Sequence, residues 1–238
     1  MLIPIAIPTY RRAASLWKHT LRFLRHSLYP AHLITLFVAS EEEAEAYKRA
    51  TPENLYGQII VGRVGLAEQR NFIRDFYGEG EILCEMDDDV RDIKSMGENF
   101  QEIVERGVRE VEECGLFGVL PNDDARRFKN DTTYHLTHIL GSFFILKNHK
   151  DIEITYTEKE DYERSILYFR RYGKEARYRG AGVLTTYNKG SGGLIAADRV
   201  ERMREGADRL SRLYPDYCKR IDKGDKPDVR LDWRAKKC

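Results

Sequence analysis

Residues 81–93 read EILCEMDDDVRDI. An apolar run (Ile82, Leu83, Cys84, Met86) passes straight into Asp87, Asp88 and Asp89. A short apolar run bounded by polar residues reads as a buried strand. Adjacent carboxylates at its end repel one another unless something offsets their charge. In extended backbone Asp87 and Asp89 point to one side and Asp88 to the other. Asp87 and Asp89 then form a natural pair for one hard divalent cation, since Mg²⁺ and Mn²⁺ prefer oxygen ligands and Mg²⁺ often takes a carboxylate or two plus substrate phosphates. The competing reading is a solvated acidic loop, or caps for the following turn.

Upstream the pattern repeats. Leu2 to Ile7 is a short β run stopped by Pro8, and AASLWKHTLRFLRHSL follows with helical spacing that puts Trp17, Leu21, Leu24 and Leu28 on one face, with Leu16 beside them. LITLFVAS (33–40) reads as a strand, EEEAEAYKRA as a helix of strong helix formers, QIIVG (58–62) as a strand, and GLAEQRNFIRDFYG as a helix ended by Gly78. Residues 1–90 therefore predict β-α-β-α-β-α-β, a parallel sheet with helices on both faces. Ligands of such sheets bind outside the carboxyl ends of the strands, where the aspartates sit. The second half is less regular: helices over 97–114, 158–173 and 195–214, strands over 115–120 and 177–188, and a strand or hairpin over 138–148. Residues 1–214 are read as one domain and 215–238 as a basic C-terminal tail.

Composition bounds the function. A chain of 238 residues with 42% hydrophobic content suits one α/β domain. A net charge of +1 excludes a global basic bias, while 33% charged residues leave room for local patches. Cys84, Cys114, Cys218 and Cys238 are scattered without CxxC spacing, so no zinc knuckle or dithiol motif is indicated. Without a signal-peptide pattern or a membrane-length apolar run, a soluble intracellular protein of a bacterial or phage-infected cytoplasm is expected, with no membrane partner.

Two further stretches carry chemistry. In TYTEKEDYERSILYF (155–169), Thr157-x-x-Glu160 has capping-box spacing, which accounts for Glu160 but not for Asp161. In RSILYFRRYGKEARYR (164–179), Arg164, Arg170, Arg171, Lys174, Arg177 and Arg179 interleave with Tyr168, Phe169, Tyr172 and Tyr178. Cations for phosphates and aromatics for stacking suit a DNA surface, although the aromatics are equally a helix's core face. YNKGSGGL (187–194) is a Gly-rich loop whose amides, with Lys189, could meet phosphate.

The order IPIAIPTYRRAASLWKHTLRFL, a second strand, VGLAEQRNFI, then ILCEMDDDV resembles the layout of GT-A nucleotide-sugar glycosyltransferases over about residues 2–195. More narrowly it resembles the phage-type and TET-associated enzymes that glycosylate hydroxymethylpyrimidines in DNA, relatives of the base J glucosyltransferase. The resemblance implies a GT-A-like mixed sheet with helices on both faces, and hexose transfer from UDP-glucose, with Mn²⁺ or Mg²⁺, onto a 5-hydroxymethyluracil or 5-hydroxymethylcytosine in DNA. It implies that Pro8, Thr9, Tyr10 and Arg11 lie against the donor's base and ribose, that Arg70, Asn71 and Asp88 face the nucleotide, and that Asp87 and Asp89 anchor the metal and the donor's ribose. Arg70 has a plain alternative, surface pairing with Glu68 or Asp75. The resemblance also implies an inverting reaction whose base is Asp161, or secondarily Glu160, in an "ED" pattern opening a helix. Small residues in GSFF (141–144) would leave room for sugar or acceptor. All six histidines lie at or before His149, so the late histidine ligand of many GT-A enzymes has no counterpart, and the metal is expected to arrive with the donor. Acceptors of other kinds (a glycan, lipid or small molecule) and a non-catalytic nucleotide- or DNA-binding module of the same fold remain the alternatives.

Overall fold

A computed structural model describes residues 2–186, 199–224 and 226–237. Strand β1 (Ile5–Pro8) enters helix α1 (Ala13–Leu16), a π-helical turn (Trp17–Leu21) and helix α2 (Arg22–His26). Then follow β2 (Ile34–Val38), α3 (Glu41–Ala50), β3 (Gln58–Val61), α4 (Leu66–Phe76) and β4 (Ile82–Met86). These are the alternating elements expected from the sequence, and β3-β2-β1-β4 pair in parallel in that order.

The second half extends the sheet with mixed polarity. It contains β5 (Val90–Ser95), α5 (Phe100–Cys114), β6 (Leu116–Leu120), β7 (Thr132–Tyr134), β8 (Phe143–Lys147), α6 (Glu160–Tyr172), β9 (Ala176–Thr185) and α7 (Arg199–Leu213). The nine-stranded sheet runs β3-β2-β1-β4-β8-β6-β9-β5, with β7 on β9. Strand β8 lies antiparallel to both β4 and β6. Strands β10 (Cys218–Lys223) and β11 (Lys226–Leu231) form a separate antiparallel hairpin.

Period-2 alternation explains why the central strands read as unbroken apolar runs: both faces are covered. Ile5, Ile7, Leu36, Val38, Cys84 and Met86 pack toward α1, α2, α3 and α5. Ala6, Phe37 and Leu83 pack on the other face, with Ile73 of α4 and Tyr168 of α6. A third cluster joins Ile166 and Phe169 of α6 to Leu210 of α7 and to Tyr217, Cys218 and Val229 of the hairpin. The C-terminal segment is thus a packed hairpin over much of its length.

Two local expectations are corrected. Trp17 and Leu28 do not join the buried face of the first helix: they are exposed, while Leu16, Leu21 and Leu24 are buried. The π turn over Trp17–Leu21 breaks the 3.6-residue register after Leu16, and Leu28 lies beyond the end of α2 in left-handed backbone. The Thr157–Glu160 capping box does not form either, because α6 begins after Lys159, whose backbone is left-handed and offers no side-chain cap. The Thr157 hydroxyl instead accepts a bond from the Ala67 amide at 3.4 Å.

Candidate active site

The sheet delivers the acidic run to the carboxyl end of β4, beside the end of β1. Extended backbone stops at Asp87, and Asp88 and Asp89 lie in the turn into β5. The strand alternation that would aim Asp87 and Asp89 together therefore does not run through the triplet. Asp87 continues the face of Leu83 and Glu85 toward α4 and α6, while Asp88 turns toward α1 and α3.

Asp88 is buried and neutralised by the PTYRR segment. Its Oδ2 accepts from the Thr9 hydroxyl (2.6 Å) and its Oδ1 from Arg12 Nη1 (2.9 Å). Because the Thr9 proton goes to Asp88, the Tyr47 hydroxyl donates to Thr9 Oγ1 at 2.6 Å, and Tyr47 in turn accepts the Arg12 amide. Burial still pushes the Asp88 carboxyl up, against the pull of Arg12 and Thr9. Thr9 and Asp88 thus hold each other inward. Pro8 is buried at the strand end. Arg11, in left-handed backbone, is exposed with its guanidinium 4.9 Å from the Tyr10 ring centroid. Arg12, which sequence reasoning passed over, is the arginine of this segment that meets Asp88 and Asp89.

Arg70 is the centre of the other side. It is 3% exposed and pairs with Glu85 (2.8 Å), Asp87 (3.0 Å) and Glu160 (3.3 Å), while its Nη2 also donates to the Gly141 carbonyl at 3.0 Å. Surface pairing with Glu68 or Asp75 is not what the structure shows. Burial alone would lower the Arg70 pKa, but Glu160, Glu85 and Asp87 outweigh it and hold the guanidinium charged. Glu160 is shared with Arg164 at 2.6 Å, and both arginines sit over the Phe144 ring. Gly141 is small for a reason other than ligand space, since a Cβ there would lie 2.6 Å from Glu160 Oε1 and 3.2 Å from Arg70 Nη2. Asn71 spends its amide on Ile154, donating to the carbonyl at 2.7 Å and accepting the N–H at 2.9 Å, which secures the segment leading to α6.

The two outer aspartates keep solvent access, with side chains 33% (Asp87) and 20% (Asp89) exposed. Loss of hydration, reinforced by Asp89, Glu160 and Asp88 against Arg70, pushes Asp87 up to about 7. Burial and Asp88 push Asp89 up as well. Two hydroxyls, Ser142 Oγ and Thr186 Oγ1, are buried with no hydrogen-bond partner among the described residues. Both belong to residues whose backbones bond this turn: the Asp87 amide donates to the Ser142 carbonyl (3.1 Å), and the Thr186 amide donates to the Asp89 carbonyl (3.0 Å). Two carboxylates whose charged forms are disfavoured, in a turn that the backbones of Ser142 and Thr186 secure, are an all-oxygen donor pair of the kind a hard divalent cation takes. Among the described residues no group of three or more His, Cys, Asp or Glu residues could hold a metal by itself.

Asp161 opens α6 next to Glu160, and its Oδ2 lies 2.7 Å from His138 Nε2. His138 stacks on Tyr162 with centroids 4.0 Å apart and planes 6° apart. Burial would raise the Asp161 pKa, but His138, Arg164 and Lys159 together bring it down to about 2. His138 was invisible in the sequence because its partner lies 23 positions away.

The basic cluster at 164–179 is largely paired within the protein. Arg171 meets Asp151 (2.7 Å), Lys174 meets Glu113 (2.7 Å), and Arg179 meets Asp131. Arg170 sits over Tyr214, and Arg177 is half-buried with no partner for its Nε among the described residues. Tyr168, Phe169 and Tyr178 are core residues. Lys189 and the whole of its Gly-rich loop (187–194) lie outside the described residues.

The chain matches no protein-family model and no curated protein. Solved structures share its fold. The mannosyltransferase PcManGT from Pyrobaculum calidifontis, in complex with GDP-Man and Mn²⁺, superposes with a TM-score of 0.54 at 13% identity over 90% of this chain and 64% of that one. A mycobacterial protein gives 0.56 at 10% identity, covering 96% of this chain and 83% of that one. TarS from S. aureus gives 0.48 at 15% identity, covering 90% and 73%. The fold is the GT-A-like α/β architecture expected from the sequence, and the chain spans about two thirds of the mannosyltransferase's length.

Proposed function

We propose that this protein is a metal-dependent glycosyltransferase that moves a hexose from a nucleoside-diphosphate sugar to a hydroxyl acceptor. The observation that carries the reading is the two solvent-reaching carboxylates, Asp87 and Asp89, at the carboxyl end of β4 in a GT-A-like sheet, with Asp87 linked through Arg70 to Glu160 at the start of α6. The mannosyltransferase of the same fold, solved with GDP-Man and Mn²⁺, supports the donor class and the metal.

Asp87 and Asp89 would hold Mn²⁺ or Mg²⁺. The cation would neutralise the diphosphate as it leaves. Arg70 keeps Asp87 in place, and Thr9, Arg12 and Asp88 fix the turn from behind. Tyr10 and Arg11, left accessible at the end of β1, would meet the donor's base and ribose. Glu160 is occupied by Arg70 and Arg164, so of the two carboxylates opening α6, Asp161 with His138 is where the acceptor proton leaves. Attack from the face opposite the diphosphate inverts the sugar's anomeric centre. We assign UDP-glucose as donor and a 5-hydroxymethylpyrimidine of DNA as acceptor, on the order of motifs from PTYRR to MDDD.

Incubation with UDP-glucose, Mn²⁺ and duplex DNA containing 5-hydroxymethyluracil or 5-hydroxymethylcytosine, followed by nucleoside mass analysis, tests this. A hexose mass gain that EDTA and Asp89→Ala abolish is the expected result. UDP release without a DNA product would replace the acceptor by a glycan, lipid or small molecule. No turnover of any nucleotide sugar by a folded protein would overturn the enzyme reading in favour of a binding module.

A further inference from the structure

Resting on the transferase reading above, we infer that His138 is the group that takes the acceptor's proton, and that Asp161 is a positioning residue that orients His138 and balances its charge. Both oxygens of Asp161 are committed. Oδ2 lies 2.7 Å from His138 Nε2, and Oδ1 accepts the Tyr162 amide at 3.0 Å. A carboxylate with both oxygens bonded is poorly placed to reach a third group.

The imidazole has the opposite character. With Nε2–H donating to Asp161, the neutral ring carries its lone pair on Nδ1. Nδ1 bonds no group among the described residues. The ring cannot swing, because it lies flat on Tyr162, whose hydroxyl donates to Asp228 of the C-terminal hairpin at 3.2 Å. Its side chain is 24% exposed, so a substrate can reach it. Its place in the chain is also apt. His138 precedes by three residues the Gly141 whose carbonyl holds Arg70, and Asp161 follows the Glu160 that pairs with Arg70 and Arg164. The pair therefore stands at the outer end of the network that reaches Asp87.

The step balances with the donor already proposed. The acceptor oxygen forms a bond to the sugar's anomeric carbon and gives its proton to His138 Nδ1. The bond from that carbon to the diphosphate oxygen breaks, and its electron pair leaves with the diphosphate. The imidazolium so formed is held by the Asp161 carboxylate, the division of labour of a carboxylate–histidine pair in hydrolases. Lys159 and Arg164 flank Asp161, and Tyr162 and Asp228 lie behind the ring.

Nitrogen-detected NMR of the ¹⁵N-labelled protein, with kinetics of His138→Asn and Asp161→Asn on the hydroxymethylated duplex, tests the inference. The resting His138 is expected as the Nε2–H tautomer, and Asp161→Asn is expected to lose that preference. His138→Asn is expected to lower kcat by about 10²- to 10⁴-fold with KM for donor unchanged. A resting Nδ1–H tautomer would overturn the assignment, since no lone pair would then face the substrate. So would a His138→Asn variant within threefold of the parent while Asp161→Asn is dead, which would return the base to Asp161. An unmutated protein that turns over no donor overturns the transferase reading itself and is distinguished from these outcomes before any variant is made.

Discussion

Arg70 shows how one residue can hold a site and a fold together. Its guanidinium serves Glu85, Asp87 and Glu160 and the Gly141 carbonyl, so it joins α4, β4, the start of β8 and α6. Glu85 is fully enclosed in a strand, and burial pushes its pKa up even with Arg70 beside it. Removing the cation leaves buried carboxylates uncompensated, the costly way to break an ion pair. Arg70→Met should therefore lower stability by about 3–5 kcal/mol in chemical denaturation. Arg70→Lys should recover only part of this, because a single ammonium cannot present a planar fork to so many acceptors. Adding Glu85→Gln to Arg70→Met should restore stability by removing one stranded charge. A single variant within about 1 kcal/mol of the parent would mean that water, not Arg70, solvates Glu85.

At the scale of elements, α6 is held by the C-terminal hairpin. Lys159, in left-handed backbone before the helix, donates to Asp228 of β11 at 2.7 Å, and Tyr162 donates to the same oxygen at 3.2 Å. Asp228→Asn should cost about 1.5–3 kcal/mol, the worth of hydrogen bonds to a charged group, and should slow turnover through the displaced start of α6. Thermal denaturation and steady-state kinetics read the two effects. The acid limit follows with its sign. Lys159 and Lys223 hold Asp228 below its ordinary value against burial, and His138 does the same for Asp161, whose folded value is about 2. Stability from both is present above the unfolded carboxylate value of about 3.9 and is lost as pH falls toward 2. Hydrogen exchange at the start of α6 should rise in that window before the central sheet opens. Little of this arrangement could be read in advance. The parallel half was legible because strands buried on both faces read as apolar runs between helical spacings. Strand β5 was not, because VRDIKS lies at the sheet edge with polar residues facing out. The hairpin was hidden by its lysines and aspartates, which pair across it or with α6 and α7. In the site, Asp87–Asp89, Arg70 and Glu160–Asp161 stood out as local runs. Arg12, Glu85 and His138 gain their meaning only from partners 15 to 76 positions away.

Over the whole molecule a net charge of +1 conceals an uneven field. The cations that sequence reading set against DNA are mostly answered by carboxylates of the protein: Asp151, Glu113 and Asp131 for Arg171, Lys174 and Arg179. A group of cations without carboxylate partners lies elsewhere. Lys18, Arg22 and Arg91 line a cavity of about 740 Å³ with His19 and Trp17, and none of the three has a carboxylate partner among the described residues. Asp92 is the one acid in its lining. The cavity is tied to the aspartate turn, since the Thr20 hydroxyl donates to the Asp87 carbonyl (2.8 Å) and accepts the Val90 amide (3.0 Å). A paired cation releases few counterions on meeting a phosphate, because its field is already cancelled, whereas an unpaired one contributes its full share to the salt dependence. If a hydroxymethylated duplex is the acceptor, Arg22→Glu and Arg91→Glu should each weaken its binding and flatten the slope of log K against log salt by roughly one unit or more. Arg171→Glu and Lys174→Glu should change that slope by much less. Fluorescence anisotropy of a labelled duplex between about 50 and 200 mM salt measures both sets. The reverse ranking would put the nucleic acid on the α6–β9 side after all, with Asp151 and Glu113 displaced as it binds. A flat salt response in every variant would remove the duplex as acceptor and leave the carboxylate pair at the end of β4 to serve an uncharged one.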